Sequence, residues 1–73
     1  MGDDDSRLIY ATDPADIVRL ALDKGMSREQ IVKALTQGKD YPARRAIAVT
    51  FAPLLGISEA TFVRVSRGLE SLS

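Results

Sequence analysis

Apolar residues recur along this chain in short stripes of helical spacing, separated by glycines, prolines and residues suited to capping. In "TDPAD", Asp13 reads as an N-cap and Pro14 as the first helical residue, where a missing N–H costs nothing. Ile17, Leu20 and Ala21 then recur at helical spacing until Gly25. "GMSREQ" reads as a glycine closing that helix and a Ser27 N-cap opening the next, with Gln30 as its capping-box partner. Ile31, Ala34 and Leu35 form the buried stripe of the second helix, and "QGKD" ends it. Pro42 opens a third helix carrying Ala43, Ala46, Ile47, Val49 and Phe51. Gly56 closes this helix or a short continuation of it. Ser58 caps a fourth, whose Phe62, Val65, Leu69 and Leu72 form one apolar stripe. The pattern predicts an all-α fold, a compact bundle of about four short helices.

The beginning of the chain stands apart. In residues 1–7 three successive aspartates repel one another and bury nothing, which predicts a disordered acidic tail ahead of a single helical domain over residues 8–73. "RLIYAT", Arg7 to Thr12, has strand character; it reads as an extended arm packing Leu8 or Ile9 onto the bundle, or as a strand that needs a partner chain. There is also an internal echo. "ALDKGMSREQIVKAL" aligns with "APLLGISEATFVRVS" at a period of 31, with Ala, Gly, Ser and Val coinciding. Two copies are too few for a solenoid, and a glycine followed by an N-cap is a general way to build a tight corner.

Size and composition narrow the function. A domain of 73 residues buries only roughly 60% of the surface its unfolded chain exposes, so a homodimer is a natural way to enlarge its core. Neither cysteine nor histidine occurs, which removes disulfides, thiolate metal sites and the commonest general base. No carboxylate pair suggests an acid–base dyad, no glycine run suggests a phosphate loop, and Ser58 has no histidine to activate it. The expectation is a chain that is not an enzyme and uses no cofactor. No apolar run approaches the roughly 20 residues of a membrane span, and "MGDDDSR" is acidic where a secretory signal is basic, so the expected location is cytoplasmic. The net charge of zero divides unevenly: residues 1–13 carry −3 and residues 14–73 carry +3. A positive folded part suits a polyanionic partner.

"LLGISEATFVRVSRG" concentrates the candidate chemistry. Ala52 can provide a close helix crossing, Gly56 the turn and Ile57 its anchor, while Phe62 and Val65 line the inner side of the following helix. Pro53, directly after Ala52, predicts a restart of the helix there, opening a short turn that leads to Gly56. The order Ala, three residues, Gly-Ile-Ser, two residues, Thr, an apolar residue, one residue, Arg-Val resembles the DNA-reading helix-turn-helix of lactose-repressor-type and phage-repressor-type regulators, over residues 48–67. The resemblance implies a helix-turn-helix-like corner within residues 42–72, and double-stranded DNA as partner. It turns Ser58, Glu59, Ala60, Val63, Arg64 and Arg67 toward that DNA. Helical geometry independently puts Ala60, Arg64, Arg67 and Ser71 opposite Phe62, Val65 and Leu69. Arg64 and Arg67 suit guanine edges or phosphates, Ser58 and Thr61 suit phosphates, and Arg44 and Arg45 complete the candidate nucleic-acid-binding set. The function implied is a repressor-like transcription regulator from a plasmid, phage or bacterial accessory locus.

Two alternatives remain open. The first half, residues 7–38, also resembles a ribbon-helix-helix DNA binder, whose Gly-x-Ser corner meets phosphate; Ser27, Arg28 and Lys33 are its candidate contacts, with Arg7, or Tyr10 and Thr12 on the other face, as ribbon readers. The other alternative binds no DNA. The alanine-rich "YPARRAIAVTFA" suits close helix pairing, as in an antitoxin-like or inhibitor-like adaptor that binds another protein.

Overall fold

Each helix begins at a side chain that accepts a backbone N–H left unpaired by the helix start. The structure, a computed structural model, describes residues 13–72, and these form α1 (Pro14–Asp23), α2 (Arg28–Thr36), α3 (Tyr41–Leu55) and α4 (Glu59–Ser66), with no strand among the described residues. The all-α fold class is therefore established; the proposed arm or strand at residues 7–12 and the acidic tail lie outside the described residues. Asp13 accepts from the Ala15 amide at 2.9 Å, and Ser58 from the Thr61 amide at 3.0 Å. Ser27 and Gln30 form a reciprocal capping box, at 3.1 and 2.8 Å. The α3 cap is Asp40, which accepts from Ala43 at 3.1 Å, so the helix starts one residue before Pro42.

The core comprises Val18, Ile31, Val32, Ala48, Ala52, Leu55, Phe62 and Val65, drawn from all four helices. Thr36 is the buried polar residue beside them, and its hydroxyl donates to the Val32 carbonyl at 2.8 Å. Ile31, Phe62 and Val65 match the expected stripes. Leu20, Ala34, Ala46 and Val49 do not: all four are exposed, Val49 at 59%, and Val18, Val32 and Ala48 are buried instead. On helices of 8 to 15 residues rich in alanine and aliphatics, the buried face is set by which neighbour packs against it, and periodicity alone leaves it ambiguous.

The corner between α3 and α4 is built from three residues, Gly56, Ile57 and Ser58, and the helix axes turn by 113° across it. That lies within the range of helix-turn-helix corners. Gly56 has φ of +72°, a left-handed conformation that a side chain disfavours, and the Ile57 amide returns to the Ala52 carbonyl at 3.1 Å. Arg28 Nη1 donates to the Leu55 carbonyl at 3.1 Å, satisfying another acceptor at the end of α3. The first corner repeats this construction, with Gly25 at positive φ two residues before the Ser27 cap and the Met26 amide on the Ala21 carbonyl at 3.1 Å.

Two further expectations fail in the structure. Pro53 does not restart the helix, because α3 runs unbroken through it to Leu55. Pro53 and Val49, one turn earlier, are both exposed, so the carbonyl that loses its proline donor lies on the watered side of the helix. The fourth helix also stops at Ser66 instead of continuing to Leu72. Gly68 at φ +76° turns the chain, with its amide on Val65 O at 3.0 Å and the Leu69 amide on Arg64 O at 2.9 Å. Leu69 is consequently 65% exposed, while Leu72 folds back onto the core from outside the helix.

This core makes a direct prediction for urea unfolding. Phe62→Ala should lower stability by about 3–5 kcal/mol, enough to unfold much of so small a domain. Val49→Ala, at a position the periodicity alone marks as core, should stay within about 0.5 kcal/mol of the parent.

Candidate nucleic-acid interface

With Phe62 and Val65 buried, α4 has only its opposite face available to a partner; Ala60, Arg64 and Arg67 are exposed on it, and Ser58 and Glu59 are exposed at the start of the helix. Across a groove of about 510 Å3, Tyr41 and Arg45 of α3 face Ala60, Val63, Arg64 and Arg67; Glu59 also lines it. Arg45 sits over the Tyr41 ring, 5.9 Å from its centre, near the outer limit of a cation–π contact. The groove thus gathers three guanidinium groups around two small apolar side chains. Guanidinium is suited to phosphates and to guanine, and alanine and valine suit the thymine methyl.

The remaining candidate residues are engaged locally. Arg44 donates from Nε to the Lys39 carbonyl at 3.0 Å and from Nη1 to the Ser66 carbonyl at 3.4 Å, tying the start of α3 to the end of α4. Ser58 Oγ accepts the Thr61 amide and donates to Thr61 Oγ1 at 2.9 Å, so both hydroxyls serve the start of α4. Ser27 caps α2, Arg28 reaches Leu55, and Lys33 pairs with Glu29 at 3.1 Å. None of these three lines the groove. Arg7, Tyr10 and Thr12, the proposed ribbon contacts, lie outside the described residues.

Tyr41, which lines the groove, and Glu70, which pairs with a residue that does, were not singled out by the sequence. Tyr41 precedes the proline taken as the helix start. Glu70 binds Arg64, with Nε and Oε1 2.7 Å apart, the Arg64 side chain being 50% and the Glu70 side chain 37% exposed. On a helix continued to Leu72, a residue six positions after Arg64 would point well away from it, at 100° per residue. The Gly68 turn brings Glu70 back. The sequence signal was the glycine itself, which interrupts the stripe after Arg67.

The segment carrying Glu70 is fastened beyond it. The Leu72 amide donates to Glu29 Oε1 at 2.8 Å, and Lys33 holds the other carboxylate oxygen. The Leu72 hydrogen bond, followed by the hydrogen bond from Lys33, holds the Glu29 carboxyl below its ordinary pKa of 4.5. Among the described residues, no group of three histidine, cysteine or acidic side chains is placed to hold a metal. No single helix among them is long and apolar enough to cross a membrane. No protein family, curated protein or solved structure matches this chain.

The lowered Glu29 pKa fixes the sign of a pH effect. A carboxyl whose pKa is lower in the folded state contributes stability that is present above its unfolded value and is lost as pH falls through the folded one. Urea titrations of the parent and Glu29→Gln should therefore differ most near neutrality and converge on acidification below pH 4.5. A difference that stays constant through the acid range would remove Glu29 as the tie.

Proposed function

We propose that this chain is a small DNA-binding regulator that contacts duplex DNA with the exposed face of α4. The observation that carries the reading is the 113° corner of three residues, which buries Phe62 and Val65 and leaves Arg64 and Arg67 beside Arg45 on one open groove. A helix presented at such an angle, with its apolar side anchored and its other side basic, has the form of a major-groove reader. Repression is the regulatory mode we assign, with a homodimer meeting two half-sites. Arg45 and Arg67 have no carboxylate partner among the described residues, which leaves them available to phosphates.

One observation favours a second reading, a protein-binding adaptor that binds no DNA. Pro42, Ala46, Val49 and Pro53 are all exposed and recur along α3 at intervals of four, three and four residues. That spacing forms a seam like those by which helices pair, and alanine permits close approach.

Fluorescence anisotropy with a random-sequence duplex at two salt concentrations separates the readings. Under the DNA reading, affinity falls steeply with salt, and replacing Arg45, Arg64 and Arg67 by alanine abolishes binding. Single replacements should lower the slope of log K against log salt by about 0.9 for each phosphate no longer neutralised. Binding that survives the triple replacement would move the interface to Arg28, Lys33 and Arg7. No binding at low salt would favour the adaptor.

A further inference from the structure

Arg64 differs from the other two groove arginines in being held. Its Nε donates to Glu70 Oε1 at 2.7 Å, and its Nη2 lies 3.4 Å from Thr61 Oγ1, which is itself bound by Ser58 Oγ at 2.9 Å. Glu70 is held as well. Ahead of it, the Gly68 and Leu69 amides close onto Val65 and Arg64, and beyond it the Leu72 amide is fixed to the Glu29 carboxylate while Leu72 packs on the core. A partly exposed ion pair contributes little to stability; its two contacts, on Glu70 and on Thr61, set where the guanidinium points. Of the five N–H groups of Arg64, these bonds use one on Nε and one on Nη2. The Nη1 and Nη2 tips keep donors, and they are a fork able to meet the O6 and N7 acceptors of guanine.

We infer that Glu70 is a positioning residue that fixes Arg64 as the guanine reader of α4, with Arg45 and Arg67 left as phosphate contacts. The inference rests on the DNA-reading function proposed above. It assigns specificity to a residue outside the reading helix. Glu70 also opposes the phosphate backbone by its charge, so removing it should relax sequence preference without weakening general attraction. This combination distinguishes positioning from simple competition for Arg64.

The test is selection from a library of duplexes with a randomised centre, using the full-length chain and the variants Arg64→Ala, Glu70→Ala and Glu70→Gln. Anisotropy with unselected duplex runs beside it, together with side-chain Nε–H spectra of the free proteins. The parent should enrich a guanine whose replacement costs roughly 5- to 150-fold in affinity. Arg64→Ala and Glu70→Ala should both lose that preference. Glu70→Ala should bind unselected duplex as well as the parent or better, and its Arg64 Nε–H signal should lose the shift given by the carboxylate. Glu70→Gln, which keeps an acceptor, should recover part of the preference. Full guanine preference in Glu70→Ala would overturn the inference. So would a parent that binds duplex without any preference dependent on Arg64, and this would leave the DNA-binding reading standing. Failure of the parent to bind any duplex would overturn that reading and the inference with it.

Discussion

The burial of Phe62 against a core that includes Ala52 is the constraint on which the rest of this structure depends. Both side chains are fully buried, and the small alanine leaves room for α4 to approach α3 while the large aromatic fills the space between the helices. The Gly56 turn allows the chain to make that approach within three residues. Once Phe62 and Val65 point inward, helical geometry leaves Ala60, Arg64 and Arg67 outward, and the groove with Tyr41 and Arg45 follows. The basic face is thus a consequence of how the core is filled.

The chain divides its cations between two kinds of work. Arg28 and Arg44 satisfy carbonyls at the C-terminal ends of α3 and α4, where a positive charge also complements the helix dipole. Arg19 and Lys33 form surface pairs within their own helices. Arg45 and Arg67 are left without carboxylate partners among the described residues, and Arg64 is left with its fork oriented. These three line the same groove, although Arg45 lies 19 positions before Arg64 in the chain.

Much of the fold was legible because capping chemistry is local. Asp13, Ser27 and Ser58 each need only residues two or three positions ahead to declare a helix start, and Gly25 and Gly56 declare the ends. The buried faces were less legible. Val18 and Val32 adjoin apolar residues that fit a helical stripe equally well, and only the position of the other helices decides between them. Pro53 misled because a proline penalty depends on whether the orphaned carbonyl meets water, a property of tertiary structure. Arg64 and Arg67 were legible from helical phase, whereas Arg44 and Arg45 could not be told apart. A shift of one residue turns the first toward the Ser66 carbonyl and the second toward the groove, a distinction that appears only once α4 is packed. Glu70 was hidden by the assumption that the last stripe continued past Gly68.

The proposed function reduces to one claim, that the outer face of α4 is where duplex DNA meets this chain. The most direct measurement is the change in backbone amide chemical shifts as a random-sequence duplex is titrated into the labelled protein at low salt. The largest changes should fall on residues 58–67 and on Arg45, with α1 and the exposed seam of α3 little affected. Changes centred on the first corner, residues 25–33, or spread without preference over all four helices, would contradict that claim.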